Sequence, residues 1–91
     1  MTTTKIPVVF RVDKTGQFVG SVTAILPTMK ASRGRKVCYA HVEQHSECSR
    51  YWYLSTRPAS VEEYTPLLRE LRAIYDSDDT KLVVRLKVGK W

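Results

Sequence analysis

Residues 60–75 read SVEEYTPLLRELRAIY, and they set the fold class by placing one long helix in a chain otherwise patterned as strands. Ser60 and Glu63 have the spacing of a capping box. The Ser60 hydroxyl accepts from the Glu63 N–H, and the Glu63 carboxylate returns to the Ser60 N–H. Tyr64, Leu67 or Leu68, Leu71, and Ile74 or Tyr75 then recur at the interval of one helical face, a stripe that turns to a core. Glu62 and Glu63 near the start and Arg69 and Arg72 later complement the helix dipole. Pro66 is the one irregularity: lacking an N–H, it either kinks the first turns or moves the start to Thr65. The run DSDDT at 76–80 ends the helix.

Strand patterns lie on both sides. In 6–12, IPVVFRV, Ile6, Val8, Phe10 and Val12 share one face, with Arg11 and Asp13 on the other. Pro7 suits a strand start or an edge. DKTGQ (13–17) is turn chemistry, with Gly16 free to take positive φ, and FVGSVTAIL (18–26) completes a hairpin. PTMKASRGRK (27–36) is a loop carrying Lys30, Arg33, Arg35 and Lys36. KVCYAHVE (36–43) reads as a third strand, with Val37, Tyr39 and His41 on one side and Cys38, Ala40 and Val42 on the other. The following stretch, QHSECSRYWYLSTRPA, has no clean period and reads as irregular with a helical turn near 49–54. After the helix, KLVVRLKVGKW is a strand with Leu82, Val84, Leu86 and Val88 inward and Lys81, Arg85 and Lys87 outward. The expectation is α+β: a small antiparallel sheet in the order β-β-β-α-β with one main helix packed on one face.

Ninety-one residues hold one domain, 1–91, with a thin stability margin. Fifteen Lys and Arg against nine Asp and Glu give a formal charge of +6, which favours nucleic acid, nucleotides or acidic protein surfaces. No apolar run approaches the ~20 residues of a membrane span, and the start lacks the pattern of a signal peptide. Two cysteines in such a chain are expected as reduced thiols, in a soluble cytoplasmic protein. A core this small, a Pro-marked edge and many aromatics predict a homo-oligomer.

Cys38, His41, His45 and Cys48 form a near-palindrome, C-x2-H-x3-H-x2-C. Thiolate and imidazole suit zinc, but Cys38 and His41 stand three apart on a strand and so point to opposite faces. Structural zinc sites also draw their ligand pairs from two separate segments. No metal and no cofactor are expected. A Cys–His nucleophile lacks a nameable orienting group, and a histidine acid–base pair lacks a defined substrate, so catalysis ranks below binding. The binding reading uses more of the chain. Tyr39 and His41 share a strand face, His45 follows, and Arg50, Tyr51, Trp52, Tyr53 and Arg57 come next. Interleaved rings and guanidinium groups are the recurrent means of stacking bases and pairing phosphates.

The segments VVFR (8–11), TAILP (23–27), CYAHVEQH (38–45), TRPAS (56–60), EEYTPLLRELRAIY (62–75) and LVVRLKV (82–88) resemble a group of small proteins encoded by bacteriophages and related mobile elements. Cys48, the basic 30–36 loop and DSDDT fall outside that pattern. The resemblance carries over no catalytic or binding residue. It implies action by binding in the cytoplasm of a host cell: inhibiting an enzyme, blocking a defence complex or sequestering a nucleotide signal. The combined expectation is a non-enzymatic counter-defence protein accepting a phosphate-bearing ligand. Arg50 and Arg57 would pair phosphate, Tyr39, Trp52 or Tyr53 would stack, and His41 and His45 would hydrogen-bond. The alternatives are a protein–protein inhibitor of a host enzyme and a DNA- or RNA-binding regulator.

Overall fold

The computed structural model describes residues 4–14, 20–40, 45–77 and 79–89. The element order is β1 (Thr4–Asp13), β2 (Val22–Leu26), β3 (Arg35–Tyr39), β4 (His45–Ser49), α1 (Arg50–Leu54), β5 (Thr56–Pro58), α2 (Val61–Tyr75) and β6 (Thr80–Arg85). This is an α+β fold with one main helix. His41, the turn at 15–17 with Gly16, and the outer ends of the two strands read over 18–26 and 36–43 lie outside the described residues.

The sheet runs β4-β3-β2-β1-β5, with β6 also on β1. Four of its five pairings are antiparallel, as expected, but β6 lies parallel to β1, with Thr4 opposite Thr80 and Val9 opposite Arg85. One edge of β1 is shared by two strands: β6 covers residues 4–9 and β5 covers residues 11–13. A helix between β5 and β6 provides the crossover that a parallel partner requires. β4 and β5 are absent from the sequence reading. HSECS has a single apolar inward residue and TRP is three residues long, so neither shows alternation. In the β2–β3 connection, Gly34 takes φ 78° where the Arg35 N–H closes a turn onto the Ser32 carbonyl at 2.9 Å.

Both faces of the sheet carry a core. On one, Val8, Phe10, Ala24, Leu26 and Tyr39 pack against Leu67, Leu68 and Leu71 of α2 and Leu82 of β6. Phe10 stacks on Tyr64 with centroids 4.5 Å apart. The stripe resolves at its last position to Tyr75, while Ile74 is exposed. On the opposite face Val9, Ile25, Cys38 and Cys48 are buried beneath Trp52, Tyr53 and Val88. The closing segment therefore differs from the expected single inward row. Leu82 and Val84 join the α2 side, Leu86 is 79% exposed because β6 has already ended at Arg85, and Val88 joins the other face.

α2 begins where the capping box places it. The Glu63 N–H donates to Ser60 Oγ at 3.2 Å and the Ser60 N–H to Glu63 Oε1 at 2.9 Å. Pro66 stays inside the helix without moving its start. At the other end the Asp76 carboxylate accepts from the Leu82 N–H at 3.1 Å, tying the helix terminus to β6. Ser60→Ala should cost about 1 kcal/mol, since it removes one partner of a satisfied N–H. Chemical denaturation with an unchanged midpoint would contradict this cap. Among the described residues no helix is long and apolar enough to cross a membrane.

Candidate functional site

The segment from 45 to 58 was the least legible in the sequence, and it builds the second face. β4 runs directly into α1, and the Ser49 hydroxyl caps the short helix by accepting from the Trp52 N–H at 3.1 Å. One helical turn then splits its side chains. Trp52 and Tyr53 turn toward the sheet, whereas Arg50, Tyr51 and Leu54 are exposed. The Trp52 indole N–H donates to Asp13 Oδ1 at 3.1 Å. The Tyr53 ring lies under the Arg11 guanidinium, 4.4 Å from its centroid, and its hydroxyl accepts from the Val88 N–H at 3.1 Å.

Arg11 is the residue that organises this side. It is 9% exposed, and its Nε donates to Thr56 Oγ1 at 2.8 Å while Nη2 donates to the Thr56 carbonyl at 2.6 Å. The alternation of β1 did assign Arg11 and Asp13 to the face opposite Phe10, but a charged pair there reads as solvated. Only the assignment of Trp52 and Tyr53 as a cover would have revealed a buried cation.

Of the seven residues expected to bind a ligand, the six that are described do not converge. Tyr39 is fully buried, and its hydroxyl donates to the Glu70 carboxylate, so it offers no ring face to a ligand. His45 is exposed but engaged: it lies 4.9 Å from the Tyr39 ring, edge-on to Tyr75, and hydrogen-bonds through Nε2 to the Tyr75 hydroxyl. Burial raises the Tyr75 phenol above its ordinary value. Arg57 points to the α2 side and grips Glu63 with two nitrogens, at 2.9 and 2.7 Å. Trp52 and Tyr53 belong to the other face, half-buried. Arg50 is exposed, and His41 lies outside the described residues. Tyr39, His45 and Arg57 are thus on one side of the sheet, with Trp52 and Tyr53 on the other.

The Arg57 guanidinium and the capping hydrogen bond from Ser60 together hold the Glu63 carboxyl down at about 2. A carboxyl depressed in the folded state stabilises above its ordinary value of 4.5, and that stabilisation fades as pH falls toward the folded value. Thermal midpoints should therefore drop between pH 4.5 and 2, and Glu63→Gln should flatten that part of the profile. An unaltered profile in the variant would contradict the assignment.

A cavity of about 830 Å³ opens beside Trp52, within the range of small-molecule sites. Its described lining includes Asp13, Thr23, Arg35, Cys38, Ser46, Glu47, Cys48, Trp52 and Glu63. Three carboxylates against one guanidinium make it a poor trap for phosphate by charge alone. Each carboxylate does have a donor: Trp52 for Asp13, the Ser32 N–H for Glu47 at 2.8 Å, and Arg57 for Glu63. Cys38 and Cys48 meet in this wall. The Cys48 S–H donates to the Lys36 carbonyl, 3.6 Å away. The neighbouring Cys48 thiol lowers the Cys38 thiol, and the neighbouring Cys38 together with burial raises that of Cys48.

Compared with protein-family models, curated proteins and solved structures, the chain finds no match in any of the three.

Proposed function

We propose that the chain is a non-enzymatic binding protein of bacteriophage type that interferes with a host system by docking onto an acidic protein partner. The observation that supports this reading is the outer side of α1, where Tyr51 is 86% and Leu54 63% exposed beside an exposed Arg50. Tyrosine and arginine are the side chains that most often dominate interfaces, and a net charge of +6 steers an acidic surface toward them. The same helix spends its other rings on internal packing, so Tyr51 and Leu54 contribute little to the fold. Tyr51→Ala with Leu54→Ala should weaken partner binding at least tenfold and leave thermal unfolding nearly unchanged. The measurement is affinity capture from host extract with wild type and the double variant, followed by titration of the captured protein. Equal capture by both would defeat the reading.

The cavity supports a second reading, a phosphate-bearing ligand stacked on Trp52 with Arg35 as its counter-charge. Calorimetry against mono-, di- and cyclic nucleotides and short oligonucleotides tests it, with Trp52→Leu as the control. No binding below millimolar would remove it. Self-association belongs to the same proposal, since β4 ends the sheet and its backbone edge is the natural seat for a second copy. Light scattering that gives a monomer mass up to millimolar concentration would remove that part.

A further inference from the structure

Neither proposed binding mode uses the two cysteines, yet the fold brings them together from opposite ends of the palindrome. Cys38 stands opposite Ser46 and Cys48 opposite Lys36, so the two are diagonal neighbours on one face of the β3–β4 pair. Both are free thiols, buried to 6% and 7% exposure, and both contribute to the wall of the 830 Å³ cavity. We propose that Cys38 and Cys48 form a two-coordinate thiolate site for a soft monovalent cation of the copper(I) class.

The register argues against the simpler outcome of a disulfide. Diagonal partners in an antiparallel pair have Cα atoms about 7–8 Å apart, whereas a disulfide usually needs roughly 4.4–6.8 Å. A metal ion between the sulfurs spans the longer gap, because two metal–thiolate bonds of about 2.3 Å set the sulfurs as much as ~4.6 Å apart. The donor count selects the ion. Zinc takes four ligands in structural sites, and among the described residues no third His, Cys, Asp or Glu joins the pair. His45 is paired across from Tyr39, on the opposite face. Among the described residues the donor set is two thiolates, which matches the softest first-row ion. A hydroxyl able to donate to a thiolate is already present: Ser46 Oγ lies 3.1 Å from Cys38 Sγ. On binding, each thiol gives up its proton to water, each sulfur donates one electron pair to the ion, and copper stays monovalent throughout.

The test is anaerobic titration of the reduced protein with copper(I), supplied as its acetonitrile complex, in competition with a chromophoric copper(I) chelator. One equivalent per chain should be withdrawn from the chelator. Cys38→Ser and Cys48→Ser should each lower the affinity at least 100-fold, with circular dichroism reporting whether each variant is folded. On wild type alone, copper(I) should protect both cysteines from alkylation, and X-ray absorption should show two sulfur neighbours. Failure to compete with the chelator, or full binding by either single variant, would overturn the proposal. So would rapid closure to an intramolecular disulfide by glutathione disulfide without copper binding, which would make the pair a redox couple instead.

Discussion

Arg11→Ala should lower the thermal midpoint by roughly 12–24 °C, the equivalent of about 3 kcal/mol in a domain of this size. The guanidinium donates to the Thr56 side chain and carbonyl and covers the Tyr53 ring. Alanine leaves the Thr56 carbonyl without this donor, takes the cation from above the ring, and opens a void where the stem lay. Hydrogen bonds from a charged group contribute about 1.5–3 kcal/mol, and the void adds to that. The Thr56 hydroxyl keeps its bond to the Tyr53 carbonyl, so the stripped acceptor is the Thr56 carbonyl. Arg11→Met restores the stem volume but no donor, and should recover only part of the loss. Arg11→Lys keeps the charge without the planar fork and should also fall short. Differential scanning calorimetry decides; a shift of Arg11→Ala by less than a few degrees would mean the cation is not a structural support.

Leu71→Ala should be of similar size, about 3 kcal/mol. Leu71 is fully buried between α2 and the sheet, and leucine truncations in such cores cost about 2–5 kcal/mol. Ile74, one turn on and 44% exposed, is its control: Ile74→Ala should cost well under half as much. Urea unfolding of the two variants measures the contrast. Equal losses would mean that the helix is rotated relative to the stripe described above.

Helix α2 was legible because three independent signals agree on it: the Ser60–Glu63 cap, the leucine spacing and the acidic start. Pro66 did not override them, since one missing N–H weighs less than a cap plus a packed stripe. The central strand β1 was legible from its alternation. The second face was not. The helical turn expected near 49–54 is there as α1, Arg50–Leu54, but five residues held by the Ser49 cap leave no period to show which of its side chains turn inward. The side-chain directions within that turn were not legible, so nothing in the sequence showed that Arg11 and Asp13 would meet Tyr53 and Trp52. The pairing of Arg57 with Glu63 was not legible for a related reason: Glu63 was already assigned to the capping box, and nothing local shows that one carboxylate serves both groups. The parallel placement of β6 is a property of the crossover and the shared edge, which a linear pattern does not encode.

The shared edge of β1 also sets a timetable for synthesis. A ribosome delivers β2, which can zip onto β1 almost at once, but the partner for residues 4–9 emerges only with residues 80–85. At about 5–20 residues per second, residues 4–9 wait roughly 4–15 s for this partner. During that interval the nascent chain offers Val8, Val9 and Phe10 to any passing strand. Its safest passage is early shielding by a chaperone, followed by rapid closure once the last strand leaves the exit tunnel.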